Sequence, residues 1–278
     1  MELDLYAKAK EKIIIAAHRG SSTGNIPCNT LPAYRAALLE GADMIEIDVD
    51  KSADGELFIF HPCMEAPHLG VKCRISEMAA KDVKELRYLN YDRTPTQFGL
   101  NTVDEVFEEF RGKCFINVDK FWMNPEDIYK AIKRHGVTEQ VIVKSSVNER
   151  VIATLRDLCP ELPFMSIVRD THPMHEALMN TGINYVGAEV LFAKEGTEVS
   201  SPEFIEMMHR DGKLVWVNSL IYNYRDQLAG DHSDDTALTV SPDYGWGWLA
   251  RRGFDIIQTD RTALLNLYLK ESSLLYKK

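Results

Sequence analysis

The amino-acid sequence predicts one α/β protein, a TIM (β/α)8 barrel with a small insertion after the second strand. The 278-residue chain holds eight short segments rich in Ile, Val and Phe, each bounded by polar residues, Gly or Pro, as buried parallel strands are. Segments with the 3.6-residue period of helices lie between most of them. No Gly-rich phosphate-binding turn follows the first strand, which argues against an open doubly wound sheet.

The strand segments follow one another along the whole chain. They cover residues 13–17, 44–49, 114–118, 141–143, 164–168, 185–190, 214–218 and 255–259. Eight strands joined by right-handed helical crossovers are enough to close a barrel. The length alone also fits two domains of about 150 residues, but the strand count favours a single domain over residues 1–278.

The helical segments carry start signals. The first follows an Asn-Thr pair, and the one at Pro125 has Asn124 as its N-cap. The segments cover residues 31–40, 125–134, 147–158, 173–180, 202–210 and 262–275.

Two longer connections depart from a plain barrel. Asp54-Gly55 between apolar runs predicts a tight turn, so the chain folds back as a hairpin after the second strand. Residues 62–113 then precede the third strand, and we expect them to form an insertion on the barrel rim with helices at 76–89 and 102–110. The polar segment 219–244 is expected at the carboxyl-terminal mouth, where substrate caps are built.

Composition narrows the class of partner. Lys and Arg total 32 against 42 Asp and Glu, and the net charge of −10 argues against nucleic acid and anionic membranes. The 5 cysteines include no C-x-x-C pair, so neither a disulfide framework nor a zinc ribbon is indicated. We expect a cytoplasmic protein without a transmembrane segment, and the oligomeric state stays open.

Acidic residues inside the second strand indicate a metal site. Glu46 and Asp48 are two residues apart, so both carboxylates face the same side of the strand. Two carboxylates inside a barrel repel each other and lose hydration, a cost that a divalent cation relieves. Asp119 at the end of the third strand completes a set of oxygen ligands suited to Mg²⁺ or Ca²⁺.

Two histidines stand near these carboxylates in the predicted barrel. His18 and Arg19 end the first strand, and His61 ends the hairpin. A pair of imidazoles can act as general base and general acid, while a cation and an Arg stabilise charge on a phosphoryl group. The combination predicts phosphodiester chemistry.

A series of motifs resembles the glycerophosphodiester phosphodiesterase family. It runs from residue 16 to about residue 269 and comprises AHRG, P-x-N-T, GADMIEIDV, S-x-DG, a strand ending in His, and GFDIIQTDR. The resemblance implies a TIM barrel with an insertion, one divalent cation and a small glycerophosphodiester substrate. It implies a residue role at each matching position: His18 and His61 as the catalytic pair, Arg19 as a phosphate contact, Glu46, Asp48 and Asp119 as metal ligands, and Trp216 and Asn218 at the mouth.

Three positions depart from the motifs of that family. Cys28 and Pro62 stand where the family usually has acidic residues, and Phe121 stands where it usually has a lysine. If the third strand is regular, Lys120 points away from Asp119. We therefore expect Lys144, at the end of the fourth strand, to supply the missing positive charge to the substrate.

The expected reaction is hydrolysis of a glycerophosphodiester to glycerol 3-phosphate and an alcohol. We expect His18 to accept the proton of the attacking glycerol hydroxyl and His61 to protonate the departing alcohol. One alternative is a phospholipase D-like enzyme that acts on lysophospholipids. Another is a degenerate barrel that binds phosphorylated ligands without turnover, motivated by the three departures.

Overall fold

Eight parallel strands close into a barrel in the computed structural model, which describes residues 3–223 and 225–277. A ninth strand, β3 (Leu57–Ile59), pairs antiparallel with β2 (Met44–Lys51) outside the barrel. The strand β1 (Ile14–Ala17) pairs with both β2 and β9 (Ile256–Thr259), which closes the ring and confirms the predicted fold. In chain order the strands are β1 (Ile14–Ala17), β2 (Met44–Lys51), β3 (Leu57–Ile59), β4 (Phe115–Asp119), β5 (Val141–Ser146), β6 (Phe164–Arg169), β7 (Tyr185–Leu191), β8 (Leu214–Asn218) and β9 (Ile256–Thr259).

Helices connect successive barrel strands. Two of them begin at the predicted caps, Thr30 and Asn124, and Thr30 accepts a hydrogen bond from the backbone N–H of Ala33 at the start of its helix. No described helix is long and apolar enough to cross a membrane. The helices are α1 (Leu5–Glu11), α2 (Leu31–Leu39), α3 (Glu65–Leu69), α4 (Ala80–Glu85), α5 (Val103–Phe110), α6 (Pro125–His135), α7 (Glu149–Leu158), α8 (His175–Met179), α9 (Pro202–Arg210), α10 (Asp234–Thr239), α11 (Trp248–Arg252) and α12 (Thr262–Glu271).

Side chains of the strands alternate between two apolar layers. Ile45 and Ile47 pack outward against the helices, whereas Met44 packs inside the barrel with Trp216 and with residues of the other strands. Leu5 of α1 belongs to the same interior cluster, so α1 covers the amino-terminal end of the barrel. The opposite, carboxyl-terminal end is left for polar side chains.

The hairpin leads into the rim segment 62–113. Gly55 has φ +97, which the tight turn between β2 and β3 requires. Phe58, Phe60 and Tyr88 belong to a small apolar core of their own, separate from the main core. The last helix of the segment, α5, packs instead into the main core, on the helical layer of the barrel.

A buried carboxylate fastens the polar segment 219–244 to the last strand. Oδ1 of Asp234 accepts hydrogen bonds from the Ser219 hydroxyl, the Trp246 indole N–H and the Thr259 hydroxyl, each at 2.7 Å. Its Oδ2 accepts the backbone N–H of Asp260 at 2.8 Å. Asp234 therefore fixes the position of Asp260, the residue that follows β9.

Candidate active site

The carboxyl-terminal end of the barrel gathers the acidic residues that the sequence singled out. Ligand oxygens of Glu46, Asp48 and Asp119 all lie within 4.8 Å of one another. Glu46 and Asp48 extend from β2, and Asp119 ends the adjacent β4, paired in register with Asp48. Because all three carboxylates converge, repulsion between them has to be balanced by positive charge.

Two features of this acidic cluster fit a divalent cation. Burial and the charge of Asp48 raise the pKa of Glu46 to about 7. Oδ1 of Asp48 is buried and accepts no hydrogen bond from any described residue. A buried carboxylate oxygen without a partner is costly unless an ion binds it, so the donor set suits an oxygen-preferring cation such as Mg²⁺ or Ca²⁺.

Arg19 is held beside the acidic cluster by its backbone and its side chain. Its N–H donates to Oε2 of Glu46 at 2.8 Å, and its Nε lies 2.8 Å from Oδ2 of Asp48. Its φ of +56 is a strained value for a residue with a side chain. A Cβ on the following Gly20 would lie 2.7 Å from the backbone of Ala33, so this position requires glycine.

Each of the two histidines has one ring nitrogen already engaged. Nδ1 of His18 lies 2.8 Å from Oδ1 of Asp260, and Nδ1 of His61 lies 2.9 Å from the carbonyl oxygen of Pro62. Because a carbonyl oxygen only accepts, Nδ1 of His61 carries a proton. Nε2 of each ring makes no hydrogen bond within residues 3–223 and 225–277 and is left for a ligand.

The surroundings shift the pKa values of the two imidazoles in opposite directions. Burial lowers the pKa of His18, but the hydrogen bond to Asp260 and the charge of Glu46 outweigh it, so the net pKa is raised. Burial lowers the pKa of His61, and the positive charges of Arg19 and Lys120 contribute to the decrease. At neutral pH the protonated form is therefore favoured more at His18 than at His61.

The expectation that Lys120 points away from Asp119 is wrong. Nζ of Lys120 lies 2.6 Å from Oδ2 of Asp119, because Lys120 has φ +61 and the regular strand has already ended. Burial would raise the pKa of Asp119, but the charges of Lys120 and Lys144 hold it below its usual value. Phe121 is buried in the main core, so Lys120, the residue before it, supplies the positive charge beside Asp119.

Lys144 lies inside the barrel and is already paired. Its Nζ lies 2.7 Å from Oε2 of Glu189 and 3.9 Å from the ring centroid of Trp216. Asn218 donates to Oε1 of Glu189 at 2.5 Å and accepts from the Trp216 indole N–H at 3.1 Å. These four buried residues form one connected polar cluster inside the barrel.

The sequence analysis missed residues that hold the site in place. Asn29 donates to Oδ2 of Asp48 at 2.9 Å, and its own Oδ1 accepts from the Tyr34 hydroxyl at 2.8 Å. Asp260 and Glu189 have equally direct contacts, to His18 and Lys144. Asn29 lies in the P-x-N-T motif, Asp260 lies in GFDIIQTDR, and Glu189 lies inside a strand. Their polar side chains within these motifs and this apolar strand could have identified them as candidate site residues.

The remaining departures do not disrupt the candidate site. Cys28 is half-buried beside Arg19, and burial raises the pKa of its thiol to about 11, so the thiol is neutral near pH 7. Pro62 offers its backbone carbonyl to His61, an interaction that does not depend on its side chain.

Comparison with known proteins adds a family relationship to this geometry. The model of the glycerophosphoryl diester phosphodiesterase family matches residues 18–264. A glycerophosphodiester phosphodiesterase of Caldanaerobacter subterraneus is 30% identical over 159 residues, which cover 54% of this chain and 65% of that protein. The chain therefore matches slightly less than two thirds of this relative.

Solved structures share the fold. A glycerophosphoryl diester phosphodiesterase from Parabacteroides distasonis superposes with a TM-score of 0.80 at 19% identity, covering 98% of this chain and 91% of that one. An Oleispira antarctica phosphodiesterase in complex with sn-glycerol-3-phosphate superposes with a TM-score of 0.68 at 19% identity, covering 93% and 97%.

Proposed function

Because the chain belongs to the glycerophosphoryl diester phosphodiesterase family, we propose that it hydrolyses glycerophosphodiesters to glycerol 3-phosphate and an alcohol. The observation that carries this proposal is the convergence of three carboxylates, one guanidinium and two imidazoles at one end of the barrel. That set provides a cation site, a phosphate ligand and two groups that transfer protons at neutral pH.

The acidic cluster and Arg19 would bind the phosphodiester. Glu46, Asp48 and Asp119 would hold one divalent cation, Mg²⁺ or Ca²⁺. When bound, such a cation polarises a phosphate oxygen and acidifies a neighbouring hydroxyl. The terminal nitrogens of Arg19 make no hydrogen bond to any described residue, so the guanidinium is free to contact phosphate oxygens.

The two histidines would transfer the protons, with roles opposite to those expected from the sequence. The carbonyl of Pro62 fixes the proton of neutral His61 on Nδ1, which leaves Nε2 as a base. Asp260 raises the pKa of His18 and favours its doubly protonated form, whose Nε2–H is an acid. Both the tautomer and the pKa directions therefore support His61 as base and His18 as acid.

The proposed reaction has two steps. A glycerol hydroxyl loses its proton to His61 and attacks phosphorus, and His18 donates a proton to the oxygen of the departing alcohol. Water then opens the resulting cyclic phosphate with the roles of the histidines reversed, which gives glycerol 3-phosphate and restores both protonation states.

Lys144, Trp216 and Asn218 are proposed to form the wall that the substrate contacts. Lys144 shares its charge between Glu189 and Asp119, so it acts near the cation site without carrying a free positive charge. Trp216 lies beneath the Lys144 ammonium, and Asn218 fixes Glu189 on the other side.

One observation favours the lysophospholipid alternative. Trp122, Met123 and Tyr222 are exposed apolar side chains, with exposed fractions of 42%, 50% and 66%. Lys120 lies over the ring of Trp122, and the charges of Lys120 and Asp119 act on Tyr222, so Trp122 and Tyr222 border the mouth. An apolar rim of this kind could contact an acyl chain.

The products that the chain releases distinguish a glycerophosphodiesterase, an enzyme acting on lysophospholipids and a barrel without turnover. The full chain is incubated with glycerophosphodiesters and with lysophospholipids, first with a chelator and then with added Mg²⁺ or Ca²⁺. Metal-restored release from glycerophosphodiesters supports the proposal, and release of lysophosphatidate alone supports the lipid alternative. Binding of diesters without any product under either metal supports a barrel that does not turn over its ligand.

A further inference from the structure

A cleft borders the candidate active site on the side of the insertion. It has a volume of about 780 Å³ and lies between the loop at residues 22–28 and the insertion residues 67–93. Asn90 bridges the two walls, because its Nδ2 donates to Oδ1 of Asn25 at 3.2 Å. The cleft is large enough for a small polar headgroup.

One side of the cleft adjoins the candidate catalytic residues. Cys28 lines the cleft, and its neighbour Asn29 hydrogen-bonds Asp48 and the backbone oxygen of Arg19. The charges of Arg19 and Asp260 both act on the Cys28 thiol. A phosphate held by Arg19 would therefore extend one of its two ester arms into the cleft, beside Asp260 and its partner His18.

The lining of the cleft carries no carboxylate among the residues that the structure describes. Cys28 is neutral near pH 7, and burial together with the charges of Arg19 and His61 lowers the pKa of His68, so it is also mostly neutral. Arg93 brings a positive charge without an ion pair to any described residue. A cationic headgroup would therefore meet Arg93 but no carboxylate among the residues that line the cleft.

The described residues of the cleft also form no aromatic cage for a quaternary ammonium group. Such a cage needs several ring faces turned to one point. Tyr88 is buried against Phe60, and Tyr91 is 97% exposed, so the two tyrosines do not enclose a common space. The hydroxyls of Ser22 and Thr23 and the amide nitrogen of Asn25 instead have no hydrogen-bond partner in the described chain.

We infer that this cleft binds the alcohol half of the substrate and that this alcohol is an uncharged polyol, such as glycerol or inositol, rather than choline or ethanolamine. The inference rests on the phosphodiesterase activity proposed above. Free hydroxyl and amide groups can hydrogen-bond the hydroxyls of a polyol, whereas an alkylammonium group would face Arg93 without a carboxylate in the described lining of the cleft.

The test compares kcat/KM for glycerol 3-phosphate release from four esters with the metal-loaded full chain. They are glycerophosphoglycerol, glycerophosphoinositol, glycerophosphocholine and glycerophosphoethanolamine. Of the two polyol esters, we expect the one that reacts faster to have a kcat/KM at least about tenfold higher than that of either ammonium ester. A difference of this size corresponds to the loss of one favourable charge interaction or hydrogen bond.

A charge variant tests whether the cleft sets this preference. Asn25→Asp keeps the oxygen that accepts from Asn90 and replaces the free amide nitrogen with a negative oxygen. We expect it to shift the choline-to-glycerol ratio of kcat/KM upward by roughly five- to tenfold. Asn180→Asp, an exposed residue after α8, makes the same charge change outside the cleft and is expected to leave the ratio unchanged.

The outcomes are distinct. A wild-type preference for choline or ethanolamine esters overturns the inference and leaves the phosphodiesterase proposal intact. An unchanged ratio in Asn25→Asp, or an equal shift in Asn180→Asp, also overturns it. Absence of turnover on every ester with either metal contradicts the proposed function, and the inference fails with it.

Discussion

Nδ1 of His18 lies 2.8 Å from Oδ1 of Asp260, so the residues that follow β1 and β9 meet in one hydrogen bond at the mouth of the barrel. Asp260 is itself positioned by its backbone N–H, which donates to the buried carboxylate of Asp234. A carboxylate fixed in this way holds the imidazole in one orientation and stabilises its charged form.

Replacing this carboxylate should weaken catalysis more than binding. In Asp260→Asn, we expect kcat to fall by roughly ten- to a hundredfold with little change in KM, because His18 loses a charged partner. The loss of charge lowers the pKa of His18, so the alkaline limb of the pH profile of kcat moves to lower pH. Asp260→Glu should recover part of the rate; an unshifted pH profile in Asp260→Asn would assign Asp260 a purely structural role.

The proposed roles of the histidines predict different responses to the leaving group. A good leaving group such as nitrophenolate needs no general acid. We therefore expect His18→Ala to slow release of the alcohol in the first step much less for a glycerophosphoryl nitrophenyl ester, followed as nitrophenolate, than for glycerophosphoglycerol, followed as free glycerol. His61→Ala should lose activity on both esters to a similar degree. The reverse pattern would restore the roles expected from the sequence.

The acidic cluster should make the folding stability depend on both pH and the bound cation. Burial and Asp48 raise the pKa of Glu46 to about 7, so the ionised form destabilises the cation-free fold, and stability falls as pH rises from about 4.5 to 7. At pH 8, Glu46→Gln should therefore stabilise the cation-free protein by roughly 1–3 kcal/mol. It should also remove most of the increase in Tm that Mg²⁺ or Ca²⁺ gives the wild type.

Thermal denaturation with and without cation measures both effects. Glu176→Gln, a charge change at the exposed start of α8, is the matched control and should leave the cation-dependent increase in Tm unchanged. A wild-type Tm that does not respond to either cation would contradict the assignment of Glu46, Asp48 and Asp119 as ligands.

A buried histidine outside the active site predicts acid sensitivity. Nε2 of His172 lies 2.8 Å from the Tyr185 hydroxyl and 3.1 Å from the Ser166 hydroxyl, and burial lowers the pKa of His172 to about 4. The unfolded chain binds this proton near pH 6.5, so stability is lost as pH falls from about 6.5 to 4, by roughly 3 kcal/mol in total.

Urea denaturation at several pH values tests this prediction. His172→Gln should be less stable than the wild type near pH 7, yet its free energy of unfolding should depend less steeply on pH between 4 and 6.5. Parallel pH dependences of the two proteins would show that another group causes the acid sensitivity.

Local pattern was sufficient to predict the barrel and most of the residues that meet at its mouth. Glu46 and Asp48 face inward because strand residues alternate, and the strand order brings Asp119 beside them. The position of Lys120 was mispredicted, since its left-handed backbone conformation is set by the end of β4 and not by a strand pattern. The pairing of His18 with Asp260 joins residues 242 positions apart, a contact that appears only when the barrel closes.

The most direct test of the account follows glycerol 3-phosphate formation by ³¹P NMR with Mg²⁺ or Ca²⁺ present, in the wild type, His18→Ala and His61→Ala. The account predicts turnover of a glycerophosphodiester by the wild type and a decrease of roughly 10²–10⁴-fold on glycerophosphoglycerol in each folded variant. Near wild-type turnover in either variant would contradict the central claim that two histidines transfer the protons of a phosphodiesterase reaction at this site.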